Sequence, residues 1–141
     1  MSTKTGLLGE HITIAVLLEQ DGWSAAHTPM DGVDVVAWKD GVFMRVQVKT
    51  STLRSQGDRR TPGYHFQLGS GAAKKIVKRG TYDILACCAA TDRAVWFQAQ
   101  CCVNQLSMRK GRGFFAKPDL ERDSWQRAVS IVMEGRQNGL D

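Results

Sequence analysis

The chain has 141 residues, 43% hydrophobic and 23% charged, with a formal net charge of +5 at pH 7. At roughly 100–200 residues per domain, this predicts one domain over 1–141, large enough to bury about two-thirds of its unfolded surface without disulfides or a structural metal. No run approaches the roughly 20 apolar residues that cross a bilayer, and Met1–Gly9 is too polar for a secretory segment, so a cytoplasmic protein without a membrane partner is expected.

From Thr3 to Gln20, Leu7, Leu8, Ile14, Ala15 and Leu18 recur at helical spacing until Asp21-Gly22 ends the run. Residues 23–28 suggest a short strand, followed by the turn Pro29-Met30-Asp31-Gly32. Two β-rich runs, Val33–Trp38 and Val42–Thr50, flank Lys39-Asp40-Gly41, and Asp-Gly between such runs is a strong hairpin signal. Residues 51–63 lack periodicity and read as a mobile basic loop, with a strand expected at Tyr64–Leu68. Ser70 can cap a short basic helix that stops at Gly80. Ile84–Ala90 and Ala94–Ala99 read as a second strand pair around Thr91-Asp92-Arg93. Residues 107–117 read as a second basic loop, and Asp119–Glu134 as a C-terminal helix with Trp125, Ala128, Val129 and Val132 facing inward. The segments contain no internal repeat.

The charge is uneven. Residues 1–38 hold one base, Lys4, against five acids, whereas residues 39–79 hold ten bases against Asp40 and Asp58. This asymmetry suggests an anionic partner, with DNA first. Arg54, Arg59 and Arg60, then Lys74, Lys75, Lys78 and Arg79, then Arg109, Lys110 and Arg112 form the expected phosphate-binding surface. The cysteines are two adjacent pairs, Cys87-Cys88 and Cys101-Cys102, and neighbouring strand residues point to opposite faces, so small buried hydrophobes are the better reading than a zinc site. The four tryptophans lie in apolar runs and read as core. His11 and His65 read as structural or DNA-facing, and His27 carries no signal.

With Asp40 and Gly41 as the central turn residues, facing positions have numbers summing to 81, which puts Asp34 opposite Gln47 and Lys49 diagonal to it on one face. A carboxylate, an amide and an ammonium on an otherwise apolar packing surface are costly unless something compensates. Glu10 repeats the anomaly on the first helix, beside the apolar stripe. Two acids aimed at one place suit Mg²⁺, which is held by one or two carboxylates, waters and phosphate oxygens.

Glu10 in GLLGEH, Asp34 in DGVDVVAW and Gln47-Val48-Lys49 in RVQVKTS resemble the PD-(D/E)XK nuclease superfamily, in its subgroup ending on Gln-x-Lys. That subgroup includes group I intron-encoded homing endonucleases and relatives of Holliday junction resolvases. The likeness covers residues 6–50, and Tyr82-Asp83 before an apolar strand is similar to the later part of such domains. It implies an α/β restriction-endonuclease-like core: a helix, a three-stranded meander, a crossover helix, a further strand or strands and a C-terminal helix. By the same resemblance Asp34 and the Val48 carbonyl bind Mg²⁺ or Mn²⁺, Glu10 binds it directly or through water, Gln47 completes the shell and Lys49 orients the attacking water. Asp31 follows Pro29-Met30 as a competing acid, but the register favours Asp34. The signature's second acid is replaced by the neutral Gln47, which leaves the site one negative charge short.

The function expected is metal-dependent hydrolysis of duplex or branched DNA by a homodimer or homotetramer. The alternative is a noncatalytic DNA-binding module that keeps the nuclease fold.

Overall fold

The computed structural model describes residues 3–54, 62–69 and 80–139. The expected helix is α1 (Lys4–Leu18), started by the Thr3 hydroxyl, which accepts a hydrogen bond from the Gly6 N–H at 3.0 Å. Strands β1 (Ser24–His27), β2 (Val35–Lys39) and β3 (Val42–Ser51) then form an antiparallel meander. Asp40 and Gly41 both take positive φ, 50° and 79°, the backbone of the tight turn whose twist matches two antiparallel strands. The pairing runs from Val35↔Val46 to Lys39↔Val42, the register inferred from that turn.

Next comes β4 (Gly63–Gln67), entered through a clasp in which the N–H and C=O of Arg54 and Gly63 bond reciprocally at 3.0 Å. The basic helix expected after Ser70 lies outside the described residues. Strand β5 (Ile84–Ala89) pairs parallel with β3, and β6 (Ala94–Ala99) pairs antiparallel with β5. The five-stranded sheet has the order β1-β2-β3-β5-β6. A short 3-10 turn at Gln100–Cys102 leads to β7 (Ser107–Gly111), which pairs with β4 as a separate two-stranded sheet, then to α2 (Arg112–Phe115) and α3 (Leu120–Gln137).

These elements make three layers. On one face of the large sheet, Ile12, Val16 and Leu17 of α1 and Trp125 and Ala128 of α3 bury Val35, Met44, Val46, Ile84 and Cys88. On the other, Tyr64, Phe66, Met108 and Phe115 bury Leu85, Cys87 and Ala89. All six residues of β5 are therefore buried, as expected of a strand covered on both sides, and Cys87 and Cys88 enter different cores. Among the described residues no helix is long and apolar enough to cross a membrane.

Several sequence expectations are corrected. Residues 107–115 are β7 and α2 instead of a loop: Met108 and Phe115 are buried in the core with β4, Phe114 packs against it, and so short a segment with few apolar anchors carries little periodicity. Cys101 and Cys102 are exposed, because they lie on the 3-10 turn and not in a strand. Trp23, Trp38 and Trp96 are only partly buried. The α1 stripe is also rotated: Leu7, Leu8 and Leu18 are 44%, 39% and 55% exposed, while Gly9, Glu10, Ile12, Thr13, Val16 and Leu17 face the sheet. A helix apolar on nearly every side does not reveal its buried face by hydropathy. The small residues decide it, since Gly9 lets α1 approach β3 closely.

A Cβ built on Gly9 would sit 1.8 Å from Thr50 Oγ1, 2.7 Å from its Cγ2 and 2.8 Å from its Cβ, so turning the Thr50 side chain cannot clear it. Gly9→Ala gains about 1 kcal/mol of helix propensity but forces an overpacking cost of about 1–3 kcal/mol. The expected net result is a lower denaturant midpoint, partly restored in Gly9→Ala/Thr50→Ala. A single substitution as stable as the parent would show that α1 slides freely on β3.

Candidate active site

Asp34 stands where β2 meets the turn that precedes it. Its N–H donates to the Val46 carbonyl at 2.9 Å, although Val46 already faces Val35, so two successive residues oppose one and the strand bulges. The Asp34 carbonyl accepts from Thr28 N–H at 3.2 Å, which ties it to the end of β1. The inferred register thus holds through β2 and breaks one residue before it, so Asp34 does not sit squarely opposite Gln47.

The bulge turns the Asp34 carboxylate onto β3. Its Oδ2 accepts the Val48 N–H at 2.8 Å. The N–H and C=O of one strand residue point to the same side, so the Val48 carbonyl also projects toward Asp34. Gln47 donates through Nε2 to the Gly32 carbonyl at 3.3 Å. Its Oε1 is buried and has no hydrogen-bond partner. Swapping the amide ends would set oxygen against the Gly32 oxygen, so the donor assignment follows from the contact itself.

Lys49 follows on the same face of β3, half-buried beside Cys87 of the parallel neighbour. Burial pushes the Cys87 thiol far above its ordinary range, Cys88 adds to the rise, and the Lys49 ammonium opposes both. The thiol therefore stays protonated at neutral pH.

Glu10 arrives from the helix layer and is 8% exposed. Its Oε1 lies 3.3 Å from His27 Nε2, and the His27 ring meets His11 edge-on at 4.8 Å between centroids. His27 pairs with Val35, the neighbour of Asp34, so this contact carries Glu10 toward the same end of β2. His27 is the site-bordering residue that sequence reading missed; a seven-residue connection separates β1 from β2, and no turn signal there fixes the register. Asp31 is exposed in the preceding turn.

Asp34, Gln47 and Val48 are therefore brought together, Lys49 is aligned with Gln47, and Glu10 approaches from the opposite face of the sheet. Among the described residues no three His, Cys, Asp or Glu side chains gather into a metal-binding group. A cation here would depend on neutral oxygens, those of the Gln47 amide and the Val48 carbonyl, beside the carboxylate of Asp34.

The expected phosphate surface divides. Arg54 and Arg109 are exposed. Lys110 lies over the Phe114 ring at 4.7 Å. Arg112 is already neutralised: its Nε and Nη2 bind Asp92 at 3.0 and 2.6 Å, and Asp92 also accepts from the buried Tyr64 hydroxyl. Arg112 is thus a strut between α2 and the β5–β6 turn, not an open phosphate contact. Burial, reinforced by Asp92, pushes the Tyr64 hydroxyl up to about 12, while Arg112 and Tyr64 hold the Asp92 carboxyl below its usual range. Arg59, Arg60, Lys74, Lys75, Lys78 and Arg79 lie outside the described residues. Asp83 is structural, gripped by the Arg45 N–H at 2.7 Å and its guanidinium, with Arg136 at 3.3 Å.

No family model and no curated protein matches the sequence. The fold is similar to that of a bacterial homing endonuclease, I-Ssp6803I, with a TM-score of 0.63 at 12% identity over 98% of this chain and 99% of that one. The chain has a mixed α/β fold, an N-terminal helix, an antiparallel meander and a C-terminal helix, like that nuclease.

Proposed function

We propose that the chain is a metal-dependent DNA endonuclease that hydrolyses phosphodiester bonds, as its structural neighbour's name would suggest. The observation that carries this reading is the Gln47 Oε1, buried without a hydrogen-bond partner one residue before Val48, whose N–H holds the Asp34 carboxylate. Leaving a buried acceptor unmatched costs about 1–3 kcal/mol. An amide oxygen serves as a neutral ligand to a hard cation, beside a carboxylate such as Asp34 and a carbonyl such as that of Val48.

Mg²⁺ or Mn²⁺ would be held by Asp34, Gln47 Oε1 and the Val48 carbonyl, with Glu10 as a ligand directly or through water. Such an ion lowers the pKa of a water and offsets phosphate charge. The protein groups do the rest. Asp34 is fixed by the Val48 N–H and so presents its other oxygen in one direction. Lys49 meets the attacking water and a phosphate oxygen with its ammonium. His27 restrains the Glu10 carboxylate. The Arg54 guanidinium, with the basic residues at 59–60 and 74–79, binds flanking phosphates. One site cuts one strand, so cutting both strands, or resolving a branch, calls for a homodimer or homotetramer.

The first test uses stability, without activity. Gln47→Leu removes the orphaned acceptor along with the bond to Gly32, so in EDTA it should unfold no earlier than the parent. With Mg²⁺ or Mn²⁺ at about a hundred times the dissociation constant, the parent should gain about 2.7 kcal/mol, and Gln47→Leu should gain much less. Equal metal shifts in both would remove Gln47 from the shell.

The second test uses supercoiled plasmid and a four-way junction, with metal or EDTA. Asp34→Ala and Lys49→Ala should each lower nicking by about a hundredfold or more, while DNA affinity changes little, and Asp31→Ala should cut normally. DNA binding without metal-dependent nicking of any substrate would instead establish the noncatalytic DNA-binding module.

A further inference from the structure

We propose that the outer face of the β4–β7 ribbon reads base edges in the major groove of duplex DNA, with Gln67 and Arg109 as specificity-determining side chains. This deepens the endonuclease reading and rests on it.

The ribbon is two-sided. Tyr64, Phe66 and Met108 point inward and are buried, whereas Gln67, Ser107 and Arg109 are exposed and His65 is half-exposed. The outer residues stand in register, His65 across from Arg109 and Gln67 across from Ser107. They form a compact polar patch on a well-anchored floor. The outer edge of β4 is tied to Arg54 and Ser51, while β7 pairs with no strand other than β4 among the described residues. A two-stranded ribbon of this kind fits a B-DNA major groove about 12 Å wide.

The chemistry of the patch separates base reading from simple charge attraction. Gln67 and Ser107 carry no charge and so add hydrogen bonds, to phosphate oxygens or to base edges, and no counterion-release attraction. Arginine and glutamine are the side chains whose paired hydrogen-bonding groups match guanine and adenine edges, and serine bonds to either. Nothing on the ribbon opposes an anion. Residues 41–82 hold nine bases against Asp58, and residues 93–118 hold five bases and no acid.

Placement links the ribbon to the candidate active site. The His65 N–H donates to Ser51 Oγ at 3.2 Å. Ser51 lies two residues beyond Lys49 on the same face of β3, about 7 Å along the strand at roughly 3.3 Å per residue. The ribbon packs on the Gln47 and Lys49 side of the sheet, opposite α1 and α3. A duplex whose phosphate meets Lys49 therefore has the ribbon as its neighbour.

The test selects binders from a pool of randomised DNA duplexes with the full chain in EDTA, followed by sequencing. The parent should enrich a motif. Arg109→Ala and Gln67→Ala should each lose preference at one separate position, by about tenfold or more. Gln67→Glu should turn a preference for adenine toward cytosine, a gain that loss of folding cannot mimic. Lys49→Ala should keep the parent motif. An unchanged motif in the ribbon variants, uniform weakening across all sequences, or a parent that enriches no motif would each overturn the ribbon as a reader. A parent that neither binds the pool nor nicks plasmid with Mg²⁺ would overturn the endonuclease reading, and the ribbon assignment with it.

Discussion

The bond from the Val48 N–H to the Asp34 carboxylate is the constraint on which the candidate site depends. Strand β3 continues past the point where β2 leaves it, so the backbone of Val48 faces a side with no strand to pair with. A buried N–H without a partner is costly, and Asp34 supplies an acceptor where a strand carbonyl would otherwise stand. This replacement orients the carboxylate and leaves the Val48 carbonyl projecting beside it. Bulges often re-aim side chains next to active sites.

The same economy governs the layers. A parallel β3–β5 pair needs a crossover, and a strand covered on both sides must be apolar on both. Strand β5 meets the second demand with Ile, Leu, Ala and Cys side chains, small enough to admit helices on one face and the ribbon on the other. Gly9 makes the corresponding concession in the helix layer, where a missing side chain brings Glu10 close to the sheet. Packing at that point and the acid at the next residue are therefore coupled: anything that lifts α1 also moves Glu10.

Sequence reading reached furthest where local chemistry fixes geometry. Asp40-Gly41 set the hairpin register, and through it the alignment of Gln47 and Lys49 and the neighbourhood of Asp34, because a turn with two positive φ values tolerates few alternatives. The order of elements, from helix through strands and strand pairs to C-terminal helix, followed from periodicity and turn residues, and the family resemblance implied the meander. What stayed hidden depends on long-range packing. The face of α1 is chosen by the steric fit of Gly9 to Thr50, which hydropathy does not encode. The bulge at Asp34 arises from competition for the Val46 carbonyl. The contact of His27 with Glu10 needs the β1 register, and Arg112 looked like an open cation because its partner Asp92 lies twenty residues away.

The Tyr64–Asp92–Arg112 network has a thermodynamic consequence for binding. The Tyr64 hydroxyl, on the inner side of β4, and Arg112, directly after β7, converge on one carboxylate in the β5–β6 turn, so both strands of the ribbon are anchored to the large sheet at the same point. Ordering a flexible binding segment ordinarily subtracts from affinity, at about 0.5–1.5 kcal/mol for each immobilised side chain, with more for the backbone. Here the backbone part of that loss is incurred during folding. A partner that meets this surface encounters a preformed shape, and its dissociation requires no local unfolding of the ribbon.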